Sequence, residues 1–489
     1  MVLPAAAAKP GVHLGTKGGA FLESIRQYFK RTDKIYLLLC IFSSTMAVVA
    51  LASWAAKQGN GFATDEITGA ITGIGDYRRA LVQAAAAGLG IVIALLLSCI
   101  DYRSLVKVWP VHVALTWGLV LPTLFIRNVA IGPLTIGFNA GDTDNYSWYK
   151  LGGFTFQPTE LAKISFILTF AMHLNNVRSR INEPKELVKL LLHLAVPILI
   201  IHIQGDDGTA IIYAIIGCCM MFAAGLSWKY IIGAISAAAV AVAAAFAFFS
   251  DKIGKGYQWY RILAVIDPEN STGWAPNEAT WKNIIYQQQR GEIAIGSGGI
   301  FGNGLFSGRY YSVPNAHNDF ILSWLGNAIG FVGLCIVLGA LLALVIKTFA
   351  TGARSEDLLG SYICTGIGGA LMAQIAVNVG MNLRVLPVIG VTLPFYSAGG
   401  SSVLMLYICW GLCCRSICTT QRACSGKVQF FPPPPRISSH LPVYQLKNSA
   451  SCLQSTGMHD ITIKMCSFCC SMLKDNEMDG PVFKMKDDP

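Results

Sequence analysis

An all-α, polytopic membrane protein of about ten transmembrane helices is what the chain predicts, and three observations predict it. Of its 489 residues, 53% are hydrophobic and only 13% charged, an excess of apolar side chains that a soluble domain cannot bury. Runs of about 20 apolar residues, the length that crosses a bilayer core, recur along the chain. Basic residues cluster in alternate connections: Arg26, Lys30, Arg31 and Lys34 before the first run, Arg103 and Lys107 after the second, and Arg178, Arg180, Lys185 and Lys189 after the fourth.

The runs place spans near 35–54, 79–100, 109–127, 158–175, 187–204, 208–226, 229–250, 319–346, 360–383 and 393–414. Residues 1–34 form a basic arm without the short apolar core and small-residue cleavage site of a secretory signal, so the first span is expected to be an uncleaved anchor. The positive-inside rule puts that arm in the cytoplasm, and an even number of spans returns the C-terminus there. The connections 55–78, 128–157, 251–318 and 384–392 then face outward. The third is the longest, and a loop of that size suits a functional element. After the tenth span, residues 419–489 open with a proline run, Pro432 to Pro435, and lack periodicity, which predicts a disordered cytoplasmic tail.

The formal charge of +10 follows topology, so nucleic acid is excluded as a partner. Most of the 15 cysteines lie in apolar runs, where they act as small hydrophobes and not as disulfides. Cys466 and Cys469 have the spacing of half a zinc site without the other half.

Polar groups at membrane depth are costly and therefore mark candidate sites. Gln204 to Thr209 (QGDDGT) joins two spans by a tight turn, where Asp206 and Asp207 either hold a cation or cap the next helix; capping is favoured because Asp is a preferred cap. In Gln157 to Lys163 (QPTELAK), Pro158 suits a first helical turn and Glu160 suits the positive helix end. Lys163, one turn further in, snorkels to the interface, pairs with Glu160 across i,i+3, or meets an anionic ligand. The stretch Ala294 to Gly304 (AIGSGGIFGNG) is dense enough in glycine to cradle a phosphate with backbone amides, although glycine-rich turns without ligands are commoner. His317 and Asp319, in Pro314 to Phe320 (PNAHNDF), serve acid–base or cation roles or cap a helix. Leu386 to Ser402 (LPVIGVTLPFYSAGGSS) breaks helical structure at the bilayer edge, which is tolerated only against protein or a water-filled cavity.

These segments, in this order, resemble the FtsW/RodA/SpoVE family of shape, elongation, division and sporulation proteins. Leu151 to Lys163 is similar to the family's GxFxFQPSExAK, Gln204 to Thr209 to QPDLGT, Ala294 to Gly304 to AIGSGGxxGxG, and Pro314 to Phe320 to PEAHTDF. Asn378 to Met381 with Leu386 to Ser402 is similar to NIGM followed by LPVTGxPLPFxSxGGSS. The resemblance covers about 35–418 and leaves the two terminal segments outside.

It implies a ten-helix peptidoglycan glycosyltransferase that polymerises lipid II at the outer face of the bacterial plasma membrane, with a class B penicillin-binding protein as transpeptidase partner. It also puts forward Lys163, Glu160, Trp148, Gln157, Asp206, His317, Asp319, Ser297 and Ser401 as substrate-binding residues. The pyrophosphate chemistry leaves room for Mg2+ or Mn2+, which no residue pattern specifies. In the family, an essential Asp lies in the long outer loop, six residues before a Tyr-Gln pair; alignment on Tyr286 and Gln287 puts Thr280 there. The stretch 267–286 is longer than usual, so Glu278 is the first candidate for the catalytic carboxylate and Asp267 the second. Asn327 and Ala328 replace paired glutamates, and Asn315 and Asn318 replace Glu and Thr around His317. The displaced Asp leaves an alternative, a catalytically silent member that binds or translocates lipid-linked precursors and scaffolds the wall-synthesis complex. A secondary transporter would explain the spans but not five ordered motifs.

Overall fold

The computed structural model describes residues 33–57, 63–64, 71–73, 76–139, 145–152, 154–234, 236–237, 240, 244, 257–269, 273, 278–307, 309–355 and 357–426. The expectations for the N-terminal arm, the tail beyond 426 with its Cys466 and Cys469, and most of the span 229–250 lie outside these residues, whereas 419–426, expected to open a disordered tail, continues the helix Gly400–Gly426.

The described chain is mostly helical. Helices α1 (Lys34–Lys57) and α2 (Tyr77–Cys99) are followed by short α3 (Tyr102–Lys107), then α4 (Trp109–Val120) and α5 (Pro122–Phe125). After a sheet come α6 (Pro158–Val177), α7 (Pro184–Ile203) and α8 (Asp207–Ala223). Beyond a helical stretch that starts at Trp228, α9 (Tyr257–Ile266), α10 (Glu278–Ser297), α11 (Ile321–Ala353), α12 (Leu358–Asn382) and α13 (Gly400–Gly426) complete the order. Five helices, α1, α2, α7, α11 and α12, are long and apolar enough to cross a membrane, and Trp109–Phe125, Asp207–Ala223 and Gly400–Cys414 are shorter apolar helices. The chain is a polytopic membrane protein.

Burial separates the lipid-facing helices from the central ones. On α2 only Ala80, Gln83, Ala87, Gly90, Ala94 and Ser98 are buried, a stripe of mostly small residues at three- or four-residue spacing. Small residues let membrane helices approach closely. A Cβ on Gly90 would lie 2.8 Å from the Tyr407 ring, and one on Gly411 would lie 2.7 Å from the Ala94 carbonyl oxygen, so α2 and α13 touch almost backbone to backbone. On α6, by contrast, fourteen of twenty residues are buried. Its polar start at Glu160 and Lys163 is tolerable because the helix faces protein on most sides.

Three expectations need correction. The fold is not purely helical: β1 (Ala63–Thr64) pairs with β2 (Ile71–Gly73), and β3 (Val129–Ile131), β4 (Leu134–Phe138), β5 (Trp148–Leu151) and β6 (Phe154–Phe156) form an antiparallel sheet in sequence order, so 128–157 is not a loop. The span 109–127 is interrupted at Leu121, because Pro122 has no N–H and cannot continue the ladder in register. Within 251–318, α9 and α10 pack on each other through Tyr260, Leu263, Ala264, Trp281 and Ile284, with Trp281 Nε1 donating to the Pro268 carbonyl at 3.1 Å. An apolar seam between two amphipathic helices explains why this stretch is a hairpin and not an open connection.

Candidate functional site

The head of α6 brings the strongest group together. Gln157 is extended and Pro158 occupies the first turn, where its missing N–H costs nothing. One turn of helix separates Glu160 from Lys163, and Lys163 Nζ donates to Glu160 Oε1 at 2.7 Å with the two side chains 7% and 12% exposed. The local pair therefore forms, and it forms in the wall of a cleft. That cleft has about 520 Å³ of non-atom space, part of it open to the surroundings, and its lining includes Tyr36, Cys40, Gln374, Phe395 and Trp410 as well as the pair. Trp410 Nε1 is buried without a hydrogen-bond partner among the described residues. A lysine held by one carboxylate keeps two further donor directions, which an anionic oxygen in the cleft would fill.

Next to this pair, Gln157 and Asp206 form a structural clamp. Gln157 Nε2 donates to Asp206 Oδ2 at 2.6 Å and to Ser147 Oγ at 3.3 Å, while Asp206 Oδ1 accepts the Thr209 N–H at 3.1 Å and so caps α8. Burial raises the Asp206 pKa, against the bonds from Thr209. Of the two uses open to the turn, the cap is the one formed; Asp207 pairs with His202 at 2.5 Å. Gln204 Nε2 donates to Thr123 Oγ1 at 2.7 Å and to the Val120 carbonyl at 3.1 Å. Thr123 Oγ1 also donates to that carbonyl, at 2.7 Å. Trp148 stands half-buried in β5 beside Ser147, and Ser401 is buried in the first turn of α13.

The irregular backbone between α12 and α13 is fastened by amide side chains. Asn378 Nδ2 donates to the carbonyls of Asp319 and Val391, at 2.8 and 2.7 Å. Gln288 Nε2 reaches the carbonyls of Met381 and Leu386, at 3.1 and 2.8 Å. Arg261 Nη1 donates to Val388 at 2.8 Å, tying α9 to the same segment. Protein groups thus satisfy this broken stretch, as its depth requires. Burial lifts the Asp319 carboxyl to about 6, against the nearby Arg261 charge. His317 packs against Trp54 with ring centroids 4.5 Å apart and the rings tilted by 38°, and burial, with Arg79 adding to it, lowers its pKa to about 4. Neither Asp319 nor His317 lines the cleft.

The glycine-rich stretch is a clasp on α11. The N–H groups of Asn303 and Gly304 donate to the carbonyls of Asn327 and Ala328, and those of Phe331 and Val332 donate back to Gly299 and Ile300, all at 2.9–3.1 Å. α11 opens for this at Gly330, with φ 67°. A Cβ on Gly298 would sit 2.0 Å from the Gly326 carbonyl oxygen, and one on Gly302, at φ +82°, 2.4 Å from that of Ala328. The glycines are there for backbone approach, and the amides of Asn303 and Gly304 already have partners. Ser297 Oγ donates to the Ala294 carbonyl and accepts from Asn327 Nδ2, each at 2.8 Å, so Asn327 works here as a bridge where the family carries an acid.

The candidate carboxylates lie apart from the cleft or outside description. Asp267 ends α9, donates its N–H to the Leu263 carbonyl at 2.8 Å, and does not line the cleft. Glu278 opens α10, and its side chain lies outside the described residues, as does that of Thr280. Gln374, Arg261 and Gln288 were not singled out from sequence, and Asn378 was named only as the start of the motif Asn378 to Met381. For Gln374 and Asn378 a signal existed, a carboxamide inside an apolar run.

The family model FTSW_RODA_SPOVE, described as cell cycle protein, matches residues 67–421. The peptidoglycan glycosyltransferase MrdB of Escherichia coli K12 is 30% identical over 386 residues, covering 78% of this chain and 93% of that one. The probable peptidoglycan glycosyltransferase FtsW of Geobacter sp. strain M18 is 32% identical over 299 residues, 60% of this chain and 77% of that one. Among solved structures, a chain from work on the coordination of polymerization and crosslinking by a peptidoglycan synthase complex aligns with a TM-score of 0.60 at 24% identity, covering 80% of this chain and 98% of that one. The rod shape determining protein RodA of Thermus thermophilus aligns with a TM-score of 0.52 at 23% identity, covering 79% and 96%.

Proposed function

Because this chain belongs to the FtsW, RodA and SpoVE family, we propose that it is a peptidoglycan glycosyltransferase, which polymerises lipid II into glycan strands. The acceptor's 4-hydroxyl attacks the donor's anomeric carbon, the bond from that carbon to the lipid pyrophosphate breaks, and the hydroxyl proton passes to a carboxylate. The observation that carries the reading is the buried Lys163–Glu160 pair in the wall of a cleft. Lys163 meets the pyrophosphate, whose growing negative charge a buried cation stabilises strongly, and Glu160 sets its direction. Glu278 is the base and Asp267 the alternative. No step here is routed through the Mg2+ or Mn2+ for which the pyrophosphate chemistry leaves room.

The same reading carries the topology: ten spans, both termini cytoplasmic, α9 and α10 on the outer face, and a class B penicillin-binding protein as partner. A second reading, precursor binding without polymerisation, is favoured by Thr280 where the family has its acid. Purified protein given labelled lipid II decides between them. The expected result is a ladder of glycan products. No product, under conditions where the E. coli MrdB polymerises, would overturn the enzyme reading and leave the scaffold.

A further inference from the structure

The sheet β3–β6 has two unlike faces. Directly opposed residues of an antiparallel sheet share a face, and the pairs Ile131↔Leu134, Leu134↔Leu151 and Leu151↔Phe154 form one apolar row across all four strands. Two positions along, on the same face, the row Val129, Ile136, Tyr149 and Phe156 repeats it. The row between, on the opposite face, is Ala130, Thr135, Lys150 and Thr155, and the pair Phe138↔Trp148 follows on that face, with Lys150 Nζ 4.7 Å from the centre of the Phe138 ring. Such alternation normally buries the apolar face against protein. Here Ile131 is 60% exposed and Leu151 55%, and Val129 is exposed as well, while at the β6 end Phe156 packs on the protein core and the Phe154 ring lies beside Gly400 of α13.

Two observations say what covers this face. The Tyr149 hydroxyl, on the apolar face, donates to the Leu119 carbonyl at 2.9 Å, which turns that face toward the end of α4. The helices leading to the sheet present exposed Val111, Leu115, Leu121 and Phe125, the last 83% exposed and four residues before Val129. That apolar band faces lipid, and the sheet's outer row continues it.

We propose that β3–β6 is an interfacial element whose exposed apolar residues, Val129, Ile131 and Leu151, rest in the bilayer hydrocarbon while Thr135, Lys150 and Thr155 face water and headgroups. The free edges of β3 and β6 keep it at the interface, since unpaired backbone groups cannot enter the hydrocarbon, and two-faced chemistry is what holds an element in that plane. The proposal rests on the protein being a membrane protein and not on the glycosyltransferase reading.

The test places the photoreactive residue p-benzoyl-phenylalanine, one position at a time, at Ile131, Leu151, Ala130 and Thr135 of the full chain. Each variant is reconstituted in phosphatidylethanolamine and phosphatidylglycerol vesicles and irradiated. Lipid adducts at Ile131 and Leu151, lost at Ala130 and Thr135, are expected. Equal labelling of both faces, or no lipid adduct at Ile131 and Leu151, would overturn it. So would crosslinks from those two positions in intact cells that run to a protein instead of lipid. Substitution at solvent- or lipid-exposed positions spares the core, and Leu151→Ala, expected to fold and to leave the Ile131 adduct in place, separates loss of contact from loss of fold.

Discussion

The head of α6 and the glycine-rich stretch before α11 advertise the same capacity, positive groups or amide donors gathered for an anion, and the protein uses them differently. Around Lys163 the donors exceed the described acceptors: one carboxylate at 2.7 Å faces a lysine with three N–H groups, and that lysine lines a cleft. Around Gly298 to Gly304 donors meet acceptors within the protein, amide to carbonyl across the opened turn at Gly330. A donor already bonded in the folded state is not available to a ligand without a break elsewhere. The cleft keeps donors open for the proposed ligand, and the clasp is a mechanical joint that fixes one end of α10, the helix whose other end is Glu278.

The largest effect expected from that division is at the far end of α10. Glu278→Gln preserves size and hydrogen bonding but removes the proposed base, so polymerisation should fall by about 10²- to 10⁴-fold, the usual worth of a general base. Melting temperature and membrane insertion should stay unchanged. Normal polymerisation by Glu278→Gln with loss in Asp267→Asn would move the base to the end of α9.

Lys163→Ala comes next, with a loss of about a hundredfold in lipid II polymerisation, because truncating one member of a buried charged contact costs several kcal/mol. Part of that loss would come from stranding Glu160. The double variant Lys163→Ala/Glu160→Ala separates the two contributions. If the loss comes only from stranding Glu160, removing both partners should restore activity; if Lys163 meets the pyrophosphate, the double variant keeps the loss.

The clasp should answer in stability and not in chemistry. Gly302→Ala forces a Cβ to within 2.4 Å of the Ala328 carbonyl oxygen at φ +82°, and overpacking plus a left-handed backbone costs roughly 2–4 kcal/mol. The measurement is thermal unfolding in detergent beside turnover per folded molecule. A variant that melts normally yet cannot polymerise would make the stretch a ligand cradle after all.

These regions also show what a sequence reveals. The spans were legible because a helix that crosses lipid must be apolar over its length, whatever it packs against, and α1, α2, α7, α11 and α12 lie where the apolar runs do. The i,i+3 spacing of Glu160 and Lys163 made their pair legible for the same local reason. The sheet at 129–156 was not, since its strands are three to five residues long and its apolar alternation is masked by the bulge between Ile136 and Phe138. The clasp was half legible: the glycines announced close approach, but its partner, the carbonyls of Asn327 and Ala328, is set by a break at Gly330 inside an otherwise uniform apolar run. The use of Asn378 was hidden because its acceptors, Asp319 and Val391, are far away along the chain or sit on irregular backbone.

The smallest effect concerns Asp319, which belongs to neither the cleft nor the clasp and so tests whether the junction between them stores charge at a cost. Its carboxyl is raised from 3.8 to about 6 by burial, so the folded state favours the protonated form more than the unfolded chain does. The stability this contributes is complete below about pH 3.8, fades as the pH climbs through about 6, and is absent at pH 8, where folding must bury the charge. Asp319→Asn removes the charge and leaves the backbone carbonyl that Asn378 and Asn382 hold. The variant should therefore melt higher than the parent at pH 8, by about 1–3 °C for roughly 1 kcal/mol recovered in a chain of this size, and the gain should shrink to nothing near pH 4. An equal gain at both pH values would mean that the substitution acts through packing. A loss at pH 8 would mean that the ionised carboxylate is held by Arg261 strongly enough to outweigh its burial, and the junction would then join the cleft as a place where charge is wanted.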